Sequence, residues 1–113
     1  MSQEYIILPL TVEATAVVLA DRCVDQDGGY ATAAAACFGV TTEDVNAIGD
    51  LTTVAVMGTK IMTASAAIAK DAYVEVVGAE GKIVTKTSGV TIGRTLQAAS
   101  ADGDKIEVLL FNV

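Results

Sequence analysis

The chain has 113 residues, 52% of them hydrophobic, with fourteen acidic and seven basic side chains and no histidine or tryptophan. A domain of this size buries roughly two-thirds of the surface its unfolded chain exposes, so its core needs no metal or disulfide staple. The missing histidines exclude Ser-His-Asp and Cys-His catalysis and every histidine-containing zinc site, and a net charge of −7 without a basic cluster is the wrong balance for nucleic acid.

The first apolar run is Tyr5, Ile6, Ile7, Leu8, Pro9 and Leu10. Proline cannot donate to a central ladder, so this segment is expected as an edge strand or an extended arm over residues 1–14. A β-rich domain over 15–113 follows. No basic n-region precedes the apolar run, so a secretion signal is not expected. Every apolar stretch falls short of the roughly 20 residues a spanning helix needs, so no membrane partner is expected either.

Next come Ala16, Val17, Val18 and Leu19, then Arg22, Cys23 and Val24, and a turn at Asp27, Gly28 and Gly29. Four alanines at 33–36, hemmed in by glycines, are too few to nucleate a helix in water. Cys23 and Cys37 lack Cys-x-x-Cys spacing and are expected as buried, inert thiols, with a disulfide between them left open. Thr41, Thr42, Glu43 and Asp44 have the chemistry of a helix N-cap, so one helical turn is expected at 41–47 and another in the alanine-rich run 62–69.

From there the pattern is strand and turn. Strands are expected at 51–56 after the turn 48–50, at 72–77, at 82–85 after a hairpin turn at 78–81, at 90–96 and at 105–111. Val74 and Val76 alternate with Tyr73 and Glu75, and Ile106 and Val108 with Lys105 and Glu107, which turns one face of each strand to the core. Asp50, Asp71 and Asp104 each precede a valine-rich strand, a recurrence of turn chemistry at loose spacing. The expected fold is mainly β: a single compact antiparallel β-sandwich or small β-barrel with an extended N-terminal arm.

Little here carries chemistry. The acid pairs Asp25/Asp27, Glu43/Asp44 and Asp102/Asp104 suit turns better than a calcium loop or a glycosidase pair, lacking a terminal glutamate and an aromatic platform. The stretch 78–82 has no Gly-Lys-Ser/Thr ending and leads into a strand, unlike a phosphate cradle. Met57 and Met62 are expected as core filler. No catalytic, cofactor or metal residue is expected, and the chain is not expected to be an enzyme. The candidate partner-binding residues are Tyr5, Ile6, Ile7, Leu8 and Leu10 of the arm, Arg94 as a partner for an acid, and Phe111, which ends the apolar run Leu109, Leu110, Phe111.

The sequence resembles the small capsid cement, or head decoration, proteins of tailed bacteriophages. The residues that carry the likeness are the Gly-pair turn at 22–29, the small residues of 33–36 followed by Phe38, Gly39 and Val40, and the Gly49-Asp50-Leu51 turn leading into its strand. Ala66, Ala67 and Ile68 then lead to Val74 and Val76, and Glu80, Gly81 and Lys82 to Ile83 and Val84. The most specific stretch is 93–110, from Gly93, Arg94 and Thr95 through Asp102, Gly103 and Asp104 to Leu110. The resemblance spans about residues 15–111.

It implies a protein on the outer surface of an icosahedral head, in the host cytoplasm before assembly, that bridges major capsid protein subunits and stabilises the shell. It also implies a homo-oligomer, dimer or trimer, at local symmetry axes, for which multivalency multiplies modest contacts. The alternative from another class is a β-sandwich adhesion or ligand-binding module displayed on the virion, for which an aromatic content of 4% is low.

Overall fold

In the computed structural model, which describes residues 5–33, 37–77 and 80–110 without the side chains of Tyr5 and Ile7, every regular element is a strand. These are β1 (Tyr5–Glu13), β2 (Cys23–Val24), β3 (Gly39–Thr41), β4 (Leu51–Thr63), β5 (Tyr73–Val77), β6 (Lys82–Thr85), β7 (Gly93–Thr95) and β8 (Lys105–Leu110). They form one antiparallel sheet in the order β2-β3-β4-β8-β7-β5-β6, with β1 added to β4. Pro9 sits in β1 as its missing N–H requires, on a strand that pairs β4 alone among the described elements.

The 13-residue β4 organises everything else. Val54 pairs with both Leu10 and Thr41, and Gly58 with both Ile6 and Leu110. Strand β1 therefore runs along one edge of β4, while β3 and then β8 share the other. A parallel bridge from Ala64 to Ile83 brings β6 back against the end of β4 and nearly closes a barrel. Side chains alternate along β4: Thr52, Val54, Val56, Lys60 and Met62 are buried, whereas Leu51, Thr53 and Met57 are exposed.

The pairing pattern occurs twice, and the recurring aspartate turns belong to that repetition. Asp21 and Asp71, fifty residues apart, both adopt left-handed φ, at 59° and 69°, a conformation a short carbonyl side chain tolerates. The N–H of each donates to a buried threonine carbonyl, Thr41 or Thr95, at 3.0 Å. The Thr41 hydroxyl donates to Leu19 O at 2.7 Å and accepts from Arg22 N at 3.2 Å. That of Thr95 donates to Ala69 O at 2.8 Å and accepts from Ala72 N at 2.9 Å.

Gly39 meets Val54 and Ala55 so closely that an added Cβ would lie 2.7 Å from a Val54 methyl; Gly93 meets Val108 and Leu109 in the same way, at 2.6 Å. The bridges Val18–Val45 and Ile68–Ala99 correspond, as do the bonds from Gly49 N to Ala14 O and Gly103 N to Ala64 O, both 2.8 Å. Equivalent positions are 50 apart for first-lobe residues up to Asp25 and 54 apart for those from Gly39 onward. The chain is thus two similar lobes sharing β4, whose first half ends one lobe and whose second half begins the other.

Each lobe has its own core. Val12, Ala14, Val18, Val24, Val45, Val54 and Val56 fill the first, and their counterparts Met62, Ala64, Ile68, Val74, Ala99 and Val108 lie in the second. Cys23, Ala31 and Val40 of the first lobe pack into that second core and join the two. The junction is reinforced by charge. Lys60, 1% exposed, places Nζ 2.6 Å from Asp21 Oδ1, and Lys105 reaches Asp21 Oδ2 at 2.8 Å. Burial pushes the Asp21 carboxyl up, but hydrogen bonds from Lys105 and Lys60 and their charges outweigh it and hold the group below its ordinary value.

The helical turns expected at 41–47 and 62–69 are not present. Thr41, Met62 and Thr63 are strand residues, while Val45 N donates to Val18 O at 2.8 Å and Ile68 N to Ala99 O at 3.0 Å. Pairing with the opposite connection satisfies the backbone and overrides a weak local preference for helix. The strand expected at 51–56 continues through Gly58 to Thr63. Met62 is core filler, but Met57 is exposed. Residues 34–36, Gly78, Ala79 and Phe111 lie outside the described residues.

Candidate docking interface

The outward-facing positions of β4, β8, β7 and β5 fall into one cross-strand row, with which the backbone of β1 is in register. Tyr5 pairs with Thr59, Thr59 with Leu109, Leu109 with Arg94, and Arg94 with Tyr73. Side chains on adjacent strands at paired positions share a face. Leu109 is 38% exposed, Tyr73 52% and the Arg94 side chain 43%. Beside the row, Leu8 and the exposed Met57 form a second apolar pair. The strands of the second lobe therefore bury Val74, Val76, Ile106 and Val108 inside and present leucine, tyrosine and arginine outside.

The repeat indicates what kind of surface this is. Counterparts of Thr59, Leu109, Arg94 and Tyr73 in the first lobe are Pro9, Ala55, Val40 and Cys23, which pair with one another in the same order. Ala55, Val40 and Cys23 are fully buried, and Val40 and Cys23 pack in the core of the second lobe. The molecule covers Ala55, Val40 and Cys23 with protein in the first lobe and leaves their counterparts Leu109, Arg94 and Tyr73 solvent-accessible in the second.

Arg94 already has an acid of its own. Its Nε and Nη2 both lie 2.6 Å from Asp71 Oδ1. That hydrogen bond lowers the Asp71 carboxyl and raises the Arg94 guanidinium. The pair is exposed, so it fixes the arginine more than it stabilises the fold. Next to Tyr73 on β5, Glu75 breaks the alternation, being a carboxylate buried at 5% exposure. Its Oε1 accepts the Thr87 N–H, the Thr87 hydroxyl at 2.9 Å and the Gly89 N–H at 3.4 Å. Those donors, the Thr87 N–H foremost, hold the carboxyl below its ordinary value against the opposing effect of burial. They also hold the 86–89 connection against the sheet.

Of the residues singled out from sequence, Arg94 falls in the row, the Tyr5 backbone is in register with Thr59 at its end, and Leu8 lies beside it. Ile6 is half-buried opposite Gly58, and Leu10 is partly exposed opposite Val54 on the inner side of the sheet. Ile7 lies at an irregularity in the β1 register, and Phe111 is beyond the described residues. Met57 and Tyr73 were missed. Both were legible as the off-phase members of the alternations Val54/Val56 and Val74/Val76.

Both cysteines are free thiols. Burial first, and then the neighbouring Cys37 thiol, pushes Cys23 well up, so it stays protonated and inert. Cys37, half-buried, donates its thiol to Gly39 O at 3.1 Å.

Comparison with known proteins agrees with this architecture. The family model described as phage cement protein matches residues 2–110. No curated protein matches the sequence. Among solved structures, the N base of head fiber gp8.5 from bacteriophage phi29 is similar at a TM-score of 0.72 and 20% identity, over 92% of this chain and 93% of that one.

Proposed function

We propose, because the chain belongs to the phage cement protein family, that it binds the outer surface of the assembled icosahedral head and stabilises it by bridging major capsid protein subunits. The observation that carries this reading is the row Leu109, Arg94 and Tyr73, solvent-accessible here, whose counterparts Ala55, Val40 and Cys23 in the first lobe are buried. A bridge needs at least two contacts per particle. In this reading the row holds sister copies together and leaves other surfaces for the shell.

A contact between this row and a different face of the next copy is head-to-tail, and it closes into a ring when the rotation suits. A dimer or trimer built so gains effective concentration for each further shell contact. Tyr5, Ile6, Ile7, Leu8, Leu10, Arg94 and Phe111 are the residues proposed to meet a neighbour. The acids that give the chain its net charge of −7 keep free copies apart and favour basic patches on the shell. Binding that exists only on the assembled shell stabilises it by mass action.

The test mixes purified protein with expanded heads of the cognate phage that lack it. Co-sedimentation with the heads and a rise in the temperature at which they release DNA are expected. Protein that remains in the supernatant at micromolar concentration overturns the proposal.

A further inference from the structure

The two lobes match in backbone but not in what they expose at their tips. In each lobe the tip is made of two connections that run against each other, pinned at Val18–Val45 and Gly49–Ala14 in the first and at Ile68–Ala99 and Gly103–Ala64 in the second. In the first lobe this tip exposes Val17, Leu19, Ile48 and Leu51, the last two at 71% each. The equivalent positions in the second lobe are Ala67, Ala69, Asp102 and Lys105, which are also exposed. Four exposed aliphatic side chains therefore stand where the same fold, a few dozen residues later, does without them. They are not needed to build the tip.

Charge differs at the same place. Segments 13–20 and 43–51 carry Glu13, Glu43, Asp44 and Asp50, all exposed, and no lysine or arginine. In the second lobe, segments 63–70 and 97–105 balance Asp102 and Asp104 against Lys70 and Lys105. The first tip is thus apolar within an uncompensated acidic rim, and the second is neutral. A depression of about 300 Å³ opens at the first tip, its lining including Glu43, Asp44, Asn46, Asp50 and Leu51. Among the described residues no three carboxylates or thiols converge as metal ligands, so these acids suit partner cations spread over a surface.

We infer that the tip of the first lobe is a docking surface for a protein partner that presents aliphatic side chains within a rim of lysine and arginine. The inference rests on the cement reading, in which that partner is the outer face of the capsid shell. Apolar contact at the centre supplies affinity, and opposed charge at the rim supplies steering and register. The tip and the row of the second lobe are separate surfaces, so one copy can hold a sister and the shell at once.

The test replaces the tip with residues the fold already accepts in its other half, as V17A, L19A, I48D and L51K together. Binding to cognate heads lacking the protein is measured by co-sedimentation, beside oligomer mass and thermal midpoint. Wild type is expected to bind heads and to weaken as salt rises from about 50 mM to about 500 mM. The replaced tip is expected to bind at least about fifty-fold more weakly, as loss of several buried aliphatic groups implies, with oligomer mass unchanged. Ile48→Asp alone, at a loop position 71% exposed, repeats the comparison without altering a strand, and E43Q with D50N is expected to flatten the salt dependence.

A wild type that binds beside a replaced tip that binds equally well overturns this inference alone. A wild type that ignores heads overturns the cement reading, and this inference with it.

Discussion

Replacing Asp21 by asparagine tests the junction between the lobes. Asn keeps the size and the left-handed backbone tolerance that this position needs at φ 59°, so the substitution removes charge with little else. Two cations face that carboxylate. Lys105 is 53% exposed in its side chain and is expected to matter little, under about 1 kcal/mol, as is usual for surface pairs. Lys60 is different: 1% exposed and 2.6 Å from Oδ1, it also donates to Ile61 O at 3.2 Å. Leaving a buried ammonium without its counter-charge typically costs about 3–5 kcal/mol. Because the asparagine carbonyl still accepts a hydrogen bond, the lower end, about 3 kcal/mol, is expected.

For a chain of this length that is about 12 °C in thermal midpoint. The assay is urea unfolding at constant slope, with D21N, K60M and the double variant completing a cycle. K60M alone leaves Asp21 paired to Lys105, and the double variant removes both members. A coupling of about 2 kcal/mol between the two positions is expected. Additive single losses, or D21N costing under about 1 kcal/mol, would refute the clamp. The same carboxyl predicts a pH dependence. Its folded pKa lies below the ordinary 3.8, so its stabilisation is complete above that value and fades as pH falls through it towards the folded pKa. D21N should lack that part of the acid limb.

The other expected outcomes concern the repeat and the row. Gly39→Ala and Gly93→Ala each put a Cβ within 3 Å of a valine side chain, and at Gly93 also 2.7 Å from Leu109 O. Both should destabilise by about 1–3 kcal/mol in urea unfolding, Gly93→Ala more, since a carbonyl yields less than a methyl; neutral outcomes would contradict the close approach. Leu109→Ser with Tyr73→Ser should lower oligomer mass in analytical ultracentrifugation while leaving the thermal midpoint nearly unchanged, and unchanged mass would remove the row from the interface. Glu75→Gln weakens the acceptor for Thr87 and Gly89 N–H, so hydrogen exchange should rise at those two amides and little elsewhere; unchanged protection would show that the carboxylate does not hold that connection.

The strands were legible where one face alone is buried. Val74/Val76 and Ile106/Val108 declared their phase, and Pro9 put β1 at an edge. Glu75 was misleading because its burial depends on donors from Thr87 and Gly89, twelve and fourteen residues away, which no alternation announces. Lys60 was invisible for the same reason, since its counter-charge comes from Asp21 across the lobe junction. The helical turns failed because tertiary pairing through Val18 and Val45 decided what local chemistry left open.

The repeat itself was half visible. Asp50, Asp71 and Asp104 stood out, Asp50 and Asp104 being twins, but Asp21, the twin of Asp71, did not, and identity is confined to small and turn residues such as Ala14/Ala64, Val24/Val74, Gly49/Gly103 and Val54/Val108. Only the hydrogen bonds make the equivalence plain. Of the residues proposed for the interface, the sequence marked 5–10 as an apolar run and Arg94 as an isolated cation. The row of Thr59, Leu109, Arg94 and Tyr73 was not legible, because its side chains come from four different strands.

Cryo-electron microscopy of cognate heads decorated with the protein tests the central claim most directly. The expected image has copies on the outer surface, joined through Leu109 and Tyr73, with the Ile48 and Leu51 tip of each resting on a basic-rimmed patch of a shell subunit. Heads that carry no added density, or density that touches a single shell subunit per oligomer, would contradict it.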